Sequence, residues 1–287
     1  MTGRRVDALA APPTWPNYAE TRCASRDGKR TYLVRASLPS GPAPAAGFPV
    51  LCMLDGDWTR PALVAALSSA PSAIIVGIGY DSDEEGRKAA RAYDYTPQVV
   101  AGRSEFDPRV PAWRSGGAAP FLDMLEARLL PDALAHCPAD RSRMTLFGHS
   151  YGGLCVLYSL LERAPVFKRY AAASPSLWWR DGHFLRTTLE ASTRPDAPET
   201  AASRGRELLV MAGERERWHP RSVGPDGSPQ SRLGGVPTLP SMRQLVHAVE
   251  ACGMAKAELS VFPEMGHGDM LLASALRALH FCTRNDA

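Results

Sequence analysis

The sequence predicts an α/β fold with a doubly wound, mostly parallel sheet. Two apolar runs, Phe48–Leu54 and Ser72–Gly79, have the continuous hydrophobicity of strands that are buried on both faces. Between them Thr59–Ser69 has helical spacing, which completes a β-α-β unit with parallel strands. A third observation is Gly148-His-Ser150-Tyr-Gly152, which joins another apolar run to a helical pattern. Together these features indicate alternating strands and helices around one sheet.

The bulk composition of the 287 residues is that of an ordinary globular protein, with 45% hydrophobic and 22% charged residues. Nothing in it marks a second unit, so we expect an N-terminal arm over residues 1–18 and a single domain over residues 19–287. The net charge of +3 is small and no basic run is interleaved with aromatic residues. We therefore expect no nucleic-acid partner.

The N-terminal residues include two arginines but no apolar stretch of signal-peptide length, and no later window approaches a membrane span. We expect no membrane partner and a cytoplasmic location, which would become periplasmic if a leader had been removed. The six cysteines lack the spacing of metal ligands, and most are expected to be buried thiols. The oligomeric state has no signature in the sequence.

The other elements follow in chain order. An antiparallel hairpin is predicted around Arg26-Asp-Gly-Lys29, because Asp-Gly supplies the positive φ of a tight turn. Residues 80–119 are polar and rich in turn residues, which predicts a long functional loop. An amphipathic helix is predicted at Phe121–His136. The remaining predicted elements are strands at Tyr170–Ser174, Glu207–Met211 and Glu258–Phe262 and a last helix at Asp269–Thr283.

Gly148-His-Ser150-Tyr-Gly152 has the form of a nucleophile elbow, a tight strand-to-helix turn that exposes a serine. Glycines are expected two residues either side of the serine, because a Cβ there would collide with the neighbouring strand or helix. Ser150 is therefore the predicted nucleophile. It stands at a helix N-terminus, where free N–H groups favour an oxyanion. This context predicts the α/β-hydrolase fold.

A serine nucleophile needs a base, and in this fold the order along the chain is serine, acid, histidine. His267 follows the last predicted strand and precedes the last helix, so we predict that it is the base. His183 and His219 lie in predicted loops and are weaker alternatives.

For the acid, Glu216 stands three residues after Gly213 at the end of a predicted strand, and Glu214 is the alternative. A further alternative stays open, in which both carboxylates are surface charges paired with Arg215 and Arg217 and the serine and histidine act as a dyad without an acid.

Two backbone amides are expected to bind the oxyanion. One is the amide of Tyr151, which follows the nucleophile. The other is the amide of Asp57, in the turn after the first buried strand, where Gly56 allows a close backbone approach. Because Asp-Gly turns are common, the alternative is that Asp57 is an exposed acid with no role.

Five segments carry a resemblance to a known family: Leu54-Asp-Gly-Asp-Trp58, Arg91-Ala-Tyr-Asp-Tyr-Thr-Pro97, Gly116-Gly-Ala-Ala-Pro-Phe-Leu122, Phe147-Gly-His-Ser-Tyr-Gly-Gly-Leu154 and Ser174-Pro-Ser-Leu-Trp-Trp179. From about Ala19 onward the chain resembles the α/β-hydrolase branch that contains esterase D, the mycobacterial mycolyltransferases and the enterochelin esterases. The second and fifth segments are most similar to the periplasmic-type esterases of trilactone siderophores.

The resemblance implies Ser150 as nucleophile, His267 as base and the amides of Asp57 and Tyr151 as oxyanion hole. It also implies that Arg91 helps to hold acidic catecholate groups. Some relatives act through a serine-histidine pair with little help from an acid. The chain departs from the family in residues 221–240, a segment rich in Gly and Pro that is longer than the usual connection between acid and histidine.

A ferric tris-catecholate is a bulky trianion, so its site should combine aromatic walls with several cations. The predicted substrate-binding residues are Arg91, Arg180, Trp58, Trp178 and Trp179, with Arg60, Arg215 and Arg217 as further cations on the same rim. We therefore predict a serine esterase that opens a trilactone siderophore of the enterobactin or salmochelin type through an acyl-enzyme. Iron belongs to the substrate, and no cofactor of the protein's own is expected. The alternatives are a generic carboxylesterase or thioesterase, an acyl transferase, and a non-catalytic binding module on the same scaffold.

Overall fold

The protein is described here from a computed structural model that defines residues 18–59, 63, 72–99, 105–163, 166–192, 205–216, 218–219 and 236–284. Several sequence predictions lie outside these residues. They are the N-terminal arm before residue 18, most of the helix predicted at Thr59–Ser69, Arg60, Arg217, and residues 221–235 of the segment rich in Gly and Pro.

Eight strands form one sheet in the order β1-β2-β4-β3-β7-β8-β9-β12. These strands are β1 (Tyr18–Ala24), β2 (Thr31–Ser37), β3 (Phe48–Leu54), β4 (Ile74–Tyr80), β7 (Ala139–His149), β8 (Arg169–Ala173), β9 (Glu207–Gly213) and β12 (Lys256–Phe262). Strand β2 runs antiparallel to β1 and β4, and all the pairs from β4 to β12 are parallel. The predicted doubly wound sheet with an antiparallel hairpin at its start is confirmed. Gly28 turns the hairpin with a φ of 68°, as its Asp-Gly sequence predicts.

The helices are α1 (Glu84–Asp94), α2 (Ala118–Met124), α3 (Leu130–Ala133), α4 (Tyr151–Glu162), α5 (Trp179–Ser192), α6 (Thr238–Ala251) and α7 (Met270–Thr283). A π-helical turn, Leu125–Leu129, joins α2 to α3. Two-residue ladders pair β5 (Glu105–Phe106) with β6 (Arg114–Ser115), and β10 (Trp218–His219) with β11 (Val236–Pro237).

The core lies on both faces of the sheet because successive side chains of a strand point in opposite directions. In β3 every residue is buried, as the apolar run predicts. Its Cys52 and Leu54 pack in a cluster with Leu122 and Leu154, while Met53 packs on the opposite face in the cluster that includes α7. Because the parallel strands end at one edge of the sheet, the turns after β3, β7, β9 and β12 meet there.

The prediction of a long loop at residues 80–119 was wrong for residues 84–94, which form α1. A helix start was present in the sequence. The side chain of Asp83 accepts a hydrogen bond from the backbone N–H of Gly86 at 2.7 Å, and Glu84 and Glu85 occupy the first turn. The polar composition of this half-buried helix concealed it. The helix predicted to end at His136 ends instead at Ala133.

Candidate active site

Ser150 occupies the sharp turn between β7 and α4. Its φ of 60° and ψ of −115° place a residue with a side chain in a conformation that favours glycine. The surrounding chain holds this conformation through two hydrogen bonds: the N–H of Ser150 donates to the carbonyl of Ala173 at 2.9 Å, and the N–H of Leu154 donates to the carbonyl of Ser150 at 3.0 Å. Strain of this kind is typical of a functional side chain that the fold has to present.

The structure shows which glycines of the elbow are required sterically, and they are not the pair that the sequence predicted. A Cβ on Gly148 would lie 2.4 Å from the backbone of Gly152, so this glycine is required by close packing. A Cβ on Gly152 would lie 3.4 Å from the Asp55 carboxylate, an ordinary contact, which corrects the expectation that Gly152 is sterically required. The second tight position is Gly153, where a Cβ would lie 2.8 Å from the carbonyl of Ala173.

The structure brings three predicted side chains into one hydrogen-bonded line. The Oγ of Ser150 lies 3.1 Å from Nε2 of His267, and Nδ1 of His267 lies 2.7 Å from Oε2 of Glu216. The imidazole is 38% exposed, whereas the Glu216 side chain is 2% exposed. The base candidate therefore faces the solvent side of the site while its acidic partner is buried behind it.

Glu216 is held by three donors. Besides His267, its Oε1 accepts the hydroxyl of Ser174 at 2.6 Å and the N–H of Gly213 at 2.8 Å. Burial raises the pKa of this carboxyl, but the hydrogen bonds from His267, Ser174 and Gly213 outweigh it and lower the pKa below its ordinary value. An ionised Glu216 accepts the Nδ1 proton of His267 and leaves Nε2 as an acceptor toward Ser150.

The alternative acid and the alternative bases lie elsewhere. Glu214 is exposed, and its carboxylate accepts the backbone N–H of Glu264 at 3.1 Å. His183 lies in α5 and His219 in β10. It is Glu216 that the structure joins to His267, and His267 that it joins to Ser150.

His149 is a residue whose part in the site the sequence did not reveal. Its Nε2 lies 3.0 Å from the carbonyl oxygen of His267, so Nε2 carries the proton and donates it. The two rings also pack with centroids 4.6 Å apart. Burial lowers the pKa of His149 to about 3, with further lowering by His267 and Arg91. His149 is therefore neutral at physiological pH. Its place beside Ser150 at the end of a buried strand was the available signal.

Arg91 is already engaged by the protein. Its guanidinium donates to both carboxylate oxygens of Asp55, at 3.0 Å from Nε and 2.8 Å from Nη2. Nη2 also lies 3.4 Å from the carbonyl oxygen of His149. Only 12% of the Arg91 side chain is exposed. The contacts of Arg91 therefore tie the turn after β3 to the nucleophile elbow, which differs from the predicted contact with a catecholate.

The side chain of Asp57 points toward the sheet. Its carboxylate accepts Arg35 Nη1 at 2.9 Å and the backbone N–H of Tyr80 at 2.7 Å. The backbone of Asp57 belongs to the helical turn that begins after Asp55, in which the amides of Trp58 and Thr59 donate to the Asp55 carbonyl. The side chain is thus structural, and any role in the oxyanion hole belongs to the amide alone.

Tyr151, the residue after Ser150, is buried with its ring packed against the half-buried ring of Trp178. The two rings lie 5.9 Å apart, and the guanidinium of Arg109 lies 4.1 Å above the ring of Tyr151 and 5.3 Å from that of Trp178. The hydroxyl of Tyr151 donates to the buried carboxylate of Asp107 at 2.7 Å. Sequence reasoning missed Asp107 and Arg109, because only the length of their loop marked this segment.

The remaining predicted substrate residues contact other groups of the protein. Trp58 is half-buried with the Arg91 guanidinium 5.3 Å from its ring. Trp179 was predicted as a wall of the site, but it is 1% exposed and belongs to the hydrophobic core. Arg180 pairs with Glu105 at 2.9 Å, and the exposed Arg215 pairs with Glu264. The described members of the predicted cationic rim, Arg91, Arg180 and Arg215, are therefore each paired with a carboxylate.

Within the described ranges, no group of three or more His, Cys, Asp or Glu side chains is arranged to hold a metal ion. None of the helices in the same ranges is long and apolar enough to span a membrane.

Comparison with known proteins gives concordant matches. The family described as "Putative esterase" matches residues 25–220. The apo-salmochelin esterase of Escherichia coli O6:H1 is 32% identical over 267 residues, which cover 92% of this chain and 78% of that protein. The ferri-bacillibactin esterase BesA of Bacillus subtilis is 30% identical over 288 residues, covering 95% and 92%. Among solved structures, a complex of the enterobactin hydrolase IroE with DFP superposes with a TM-score of 0.70 at 30% identity, covering 93% of this chain and 95% of that one.

Proposed function

The chain belongs to the Putative esterase family and is a serine hydrolase, and from this premise we propose that it hydrolyses the ester bonds of a siderophore through an acyl-enzyme. The preferred substrate is a catecholate trilactone of the enterobactin or salmochelin type. One observation carries the proposal: the 3.1 Å contact between Ser150 Oγ and His267 Nε2, with Glu216 behind the imidazole at 2.7 Å.

The reaction follows from the direction of these hydrogen bonds. Ser150 Oγ attacks the ester carbonyl carbon while its proton moves to Nε2 of His267. Glu216 stabilises the resulting imidazolium, and the amides of Tyr151 and Asp57 are the proposed donors to the oxyanion. When the carbon–oxygen bond breaks, the imidazolium returns the proton to the leaving alkoxide. A water molecule then attacks the acyl-enzyme with His267 as base, which restores the Ser150 hydroxyl and releases the acid.

Two lines support a siderophore substrate. The relatives at 30–32% identity are named as esterases of salmochelin and bacillibactin. In this chain the guanidinium of Arg109, whose side chain is 37% exposed, lies 5.3 Å from the half-buried ring of Trp178. A planar catecholate can contact the exposed part of the Trp178 ring, while the guanidinium attracts its negative charge. This arrangement replaces the predicted contact with Arg91.

The proposal is tested by kcat/KM measurements on a cyclic catecholate trilactone, its linear trimer, their ferric complexes and p-nitrophenyl acetate. We expect the trilactone to be the best substrate and the Ser150→Ala variant to be inactive on all of them. Good turnover of p-nitrophenyl acetate without turnover of any trilactone would instead identify a generic carboxylesterase. Failure of a fluorophosphonate probe to label Ser150 in the wild-type protein would favour a binding module.

We further propose a cytoplasmic location. All six cysteines are free thiols, and Cys52, Cys155 and Cys282 are buried in the folded protein, which suits a reducing compartment. Fractionation of producing cells, with a cytoplasmic and a periplasmic enzyme as markers, tests this. Recovery of the protein with the periplasmic marker would contradict it.

A further inference from the structure

The segment Ser174-Pro175-Ser176 follows β8 and lies against the nucleophile elbow. Both serines are completely buried. The hydroxyl of Ser174 donates to Glu216 at 2.6 Å, and the Oγ of Ser176 lies 3.3 Å from the Oγ of Ser150. One short segment thus contacts both ends of the line formed by Glu216, His267 and Ser150.

The direction of the bond between Ser176 and Ser150 follows from counting protons. Ionised Glu216 can only accept, so Nδ1 of His267 donates to it and Nε2 is left as an acceptor. The single hydroxyl proton of Ser150 therefore goes to Nε2. The Oγ of Ser150 then has only acceptor capacity left for Ser176, so the Ser176 hydroxyl is the donor.

We propose that Ser176 is a further catalytic residue, whose hydroxyl donates a hydrogen bond to the Oγ of Ser150 during attack and release. The inference rests on the proposed function, since it concerns the same nucleophile. As the Ser150 proton moves to His267, negative charge develops on Oγ, and a donor to that atom stabilises it. The same donor stabilises Oγ when it becomes the leaving group in the hydrolysis of the acyl-enzyme.

The backbone fixes the Ser176 hydroxyl at this position. The N–H of Ser176 donates to the carbonyl of Ser150 at 3.1 Å, so the two residues are bridged through backbone and side chain. Ser174 has a φ of 43°, and its N–H donates to the carbonyl of Met211 at 2.7 Å. Pro175 packs against Gly153, where an added Cβ would lie 3.0 Å from its Cα. A strained and closely packed turn of this kind holds a side chain in one orientation.

The test compares Ser176→Ala with a matched control, Ser159→Ala. Ser159 is also buried, and it lies roughly two and a half turns along α4 from the nucleophile. For Ser176→Ala we expect kcat on the best ester, and the rate constant of fluorophosphonate labelling, to fall about 10- to 100-fold with little change in KM. The control should match the wild type. Ser176→Thr, which keeps the hydroxyl, should recover part of the loss.

Labelling and turnover within two-fold of the wild type in Ser176→Ala would overturn the inference. If Ser176→Ala does not fold, Ser176→Cys provides the comparison, because a thiol is a weaker hydrogen-bond donor than a hydroxyl. Unchanged rates in Ser176→Cys would also count against the inference. Failure of the proposed function is distinguishable: the wild-type protein would then turn over no siderophore ester, while the labelling rates of Ser150 would still report on Ser176.

Discussion

At the scale of single residues, Glu216 is the side chain whose removal best tests how the imidazole is held. In Glu216→Gln the carboxylate that accepts Nδ1 at 2.7 Å is replaced by an amide that can present its NH₂ group instead. The wrong tautomer of His267 and a destabilised imidazolium are then expected, with kcat lower by about 10³- to 10⁴-fold. Stopped-flow or steady-state hydrolysis of the best ester measures the loss.

Glu214→Gln is the matched control for that variant. The same chemical change occurs two residues away, on an exposed side chain that contacts the backbone of Glu264. We expect its kcat to equal that of the wild type. Equal losses of kcat in Glu214→Gln and Glu216→Gln would contradict the assignment of Glu216 alone as the acid. Full activity in both variants would indicate a serine-histidine dyad.

The positions of Ser150, His267 and Glu216 could be predicted because each has a local signal. The nucleophile has flanking glycines, and the other two follow predicted strands of a parallel sheet. No such signal exists for the pairing of Asp107 with the Tyr151 hydroxyl, or for the contact of His149 with the backbone of His267. These contacts join segments far apart in the chain, so only the folded structure shows them.

At the scale of the elements, the junction of β7 and α4 predicts unequal tolerance of its glycines. In Gly148→Ala the new methyl would lie 2.4 Å from the Gly152 backbone, and in Gly153→Ala 2.8 Å from the Ala173 carbonyl. We expect each to reduce the free energy of unfolding by about 1–3 kcal/mol or more, since the turn must shift. In Gly152→Ala the methyl would make ordinary contacts, and the change should be under about 1 kcal/mol.

Urea denaturation of the three variants measures these differences, with the Gly152→Ala variant as the internal control. A loss of stability in Gly152→Ala as large as that in Gly148→Ala would show that Gly152 is more closely packed than the structure describes.

Helix α1 connects two turns of the site through Arg91, which contacts Asp55 in the turn after β3 and the carbonyl of His149 at the elbow. In Arg91→Met the carboxylate of Asp55 would remain buried without its bidentate partner. The expected loss in the free energy of unfolding is about 3–5 kcal/mol. Arg128→Met is the control, because Arg128 is 63% exposed and its pairing with Asp132 is a surface pair. A raised KM in Arg91→Met with unchanged stability would favour the original prediction that Arg91 binds substrate.

How well each element could be predicted depends on how much of its surface is buried, because burial sets the apolar pattern in the sequence. Strands such as β3, buried on both faces, leave an unbroken apolar run. Helix α1 was missed because only Ala92 and Asp94 are buried in it, so its apolar face is narrow. Trp179 was assigned to the site because aromatic residues suit both a core and a pocket, and its burial depends on how α5 packs.

At the scale of the whole molecule, the sheet order explains how the site forms from distant segments. Strands β3, β7, β8, β9 and β12 are consecutive neighbours in the sheet, so their carboxyl ends deliver the turn at Asp55, the elbow, Ser174–Ser176, Glu216 and His267 to one edge. The parallel topology was predictable from the alternation of apolar runs and helices. The conformation of each loop after these strands was not predictable, because it depends on side-chain contacts between segments that are distant in the chain.

The hairpin at the other end of the sheet is joined to α1 by a buried carboxyl, Asp94, which is 1% exposed. Its Oδ2 accepts the hydroxyls of Tyr32 and Tyr80, both at 3.1 Å, and its Oδ1 lies 3.1 Å from Nε of Arg30. Burial raises the pKa of Asp94 from 3.8 to about 7, and the charge of Arg30 and the hydrogen bonds from Tyr32 and Tyr80 only partly oppose this shift. The folded protein therefore binds this proton more tightly than the unfolded chain does.

This linkage predicts a pH dependence of stability. Because the folded-state pKa of Asp94 is the higher one, its contribution is fully present below about pH 4 and is lost as the pH rises through 7. The protein should thus be less resistant to urea at pH 8 than at pH 5.5, by on the order of 2 kcal/mol from this group. Asp94→Asn should remove that part of the slope, whereas Asp132→Asn, at an exposed carboxyl, should keep it. Equal slopes in the wild type and Asp94→Asn would show that Asp94 is ionised across this range and that Arg30 and the two tyrosines outweigh its burial.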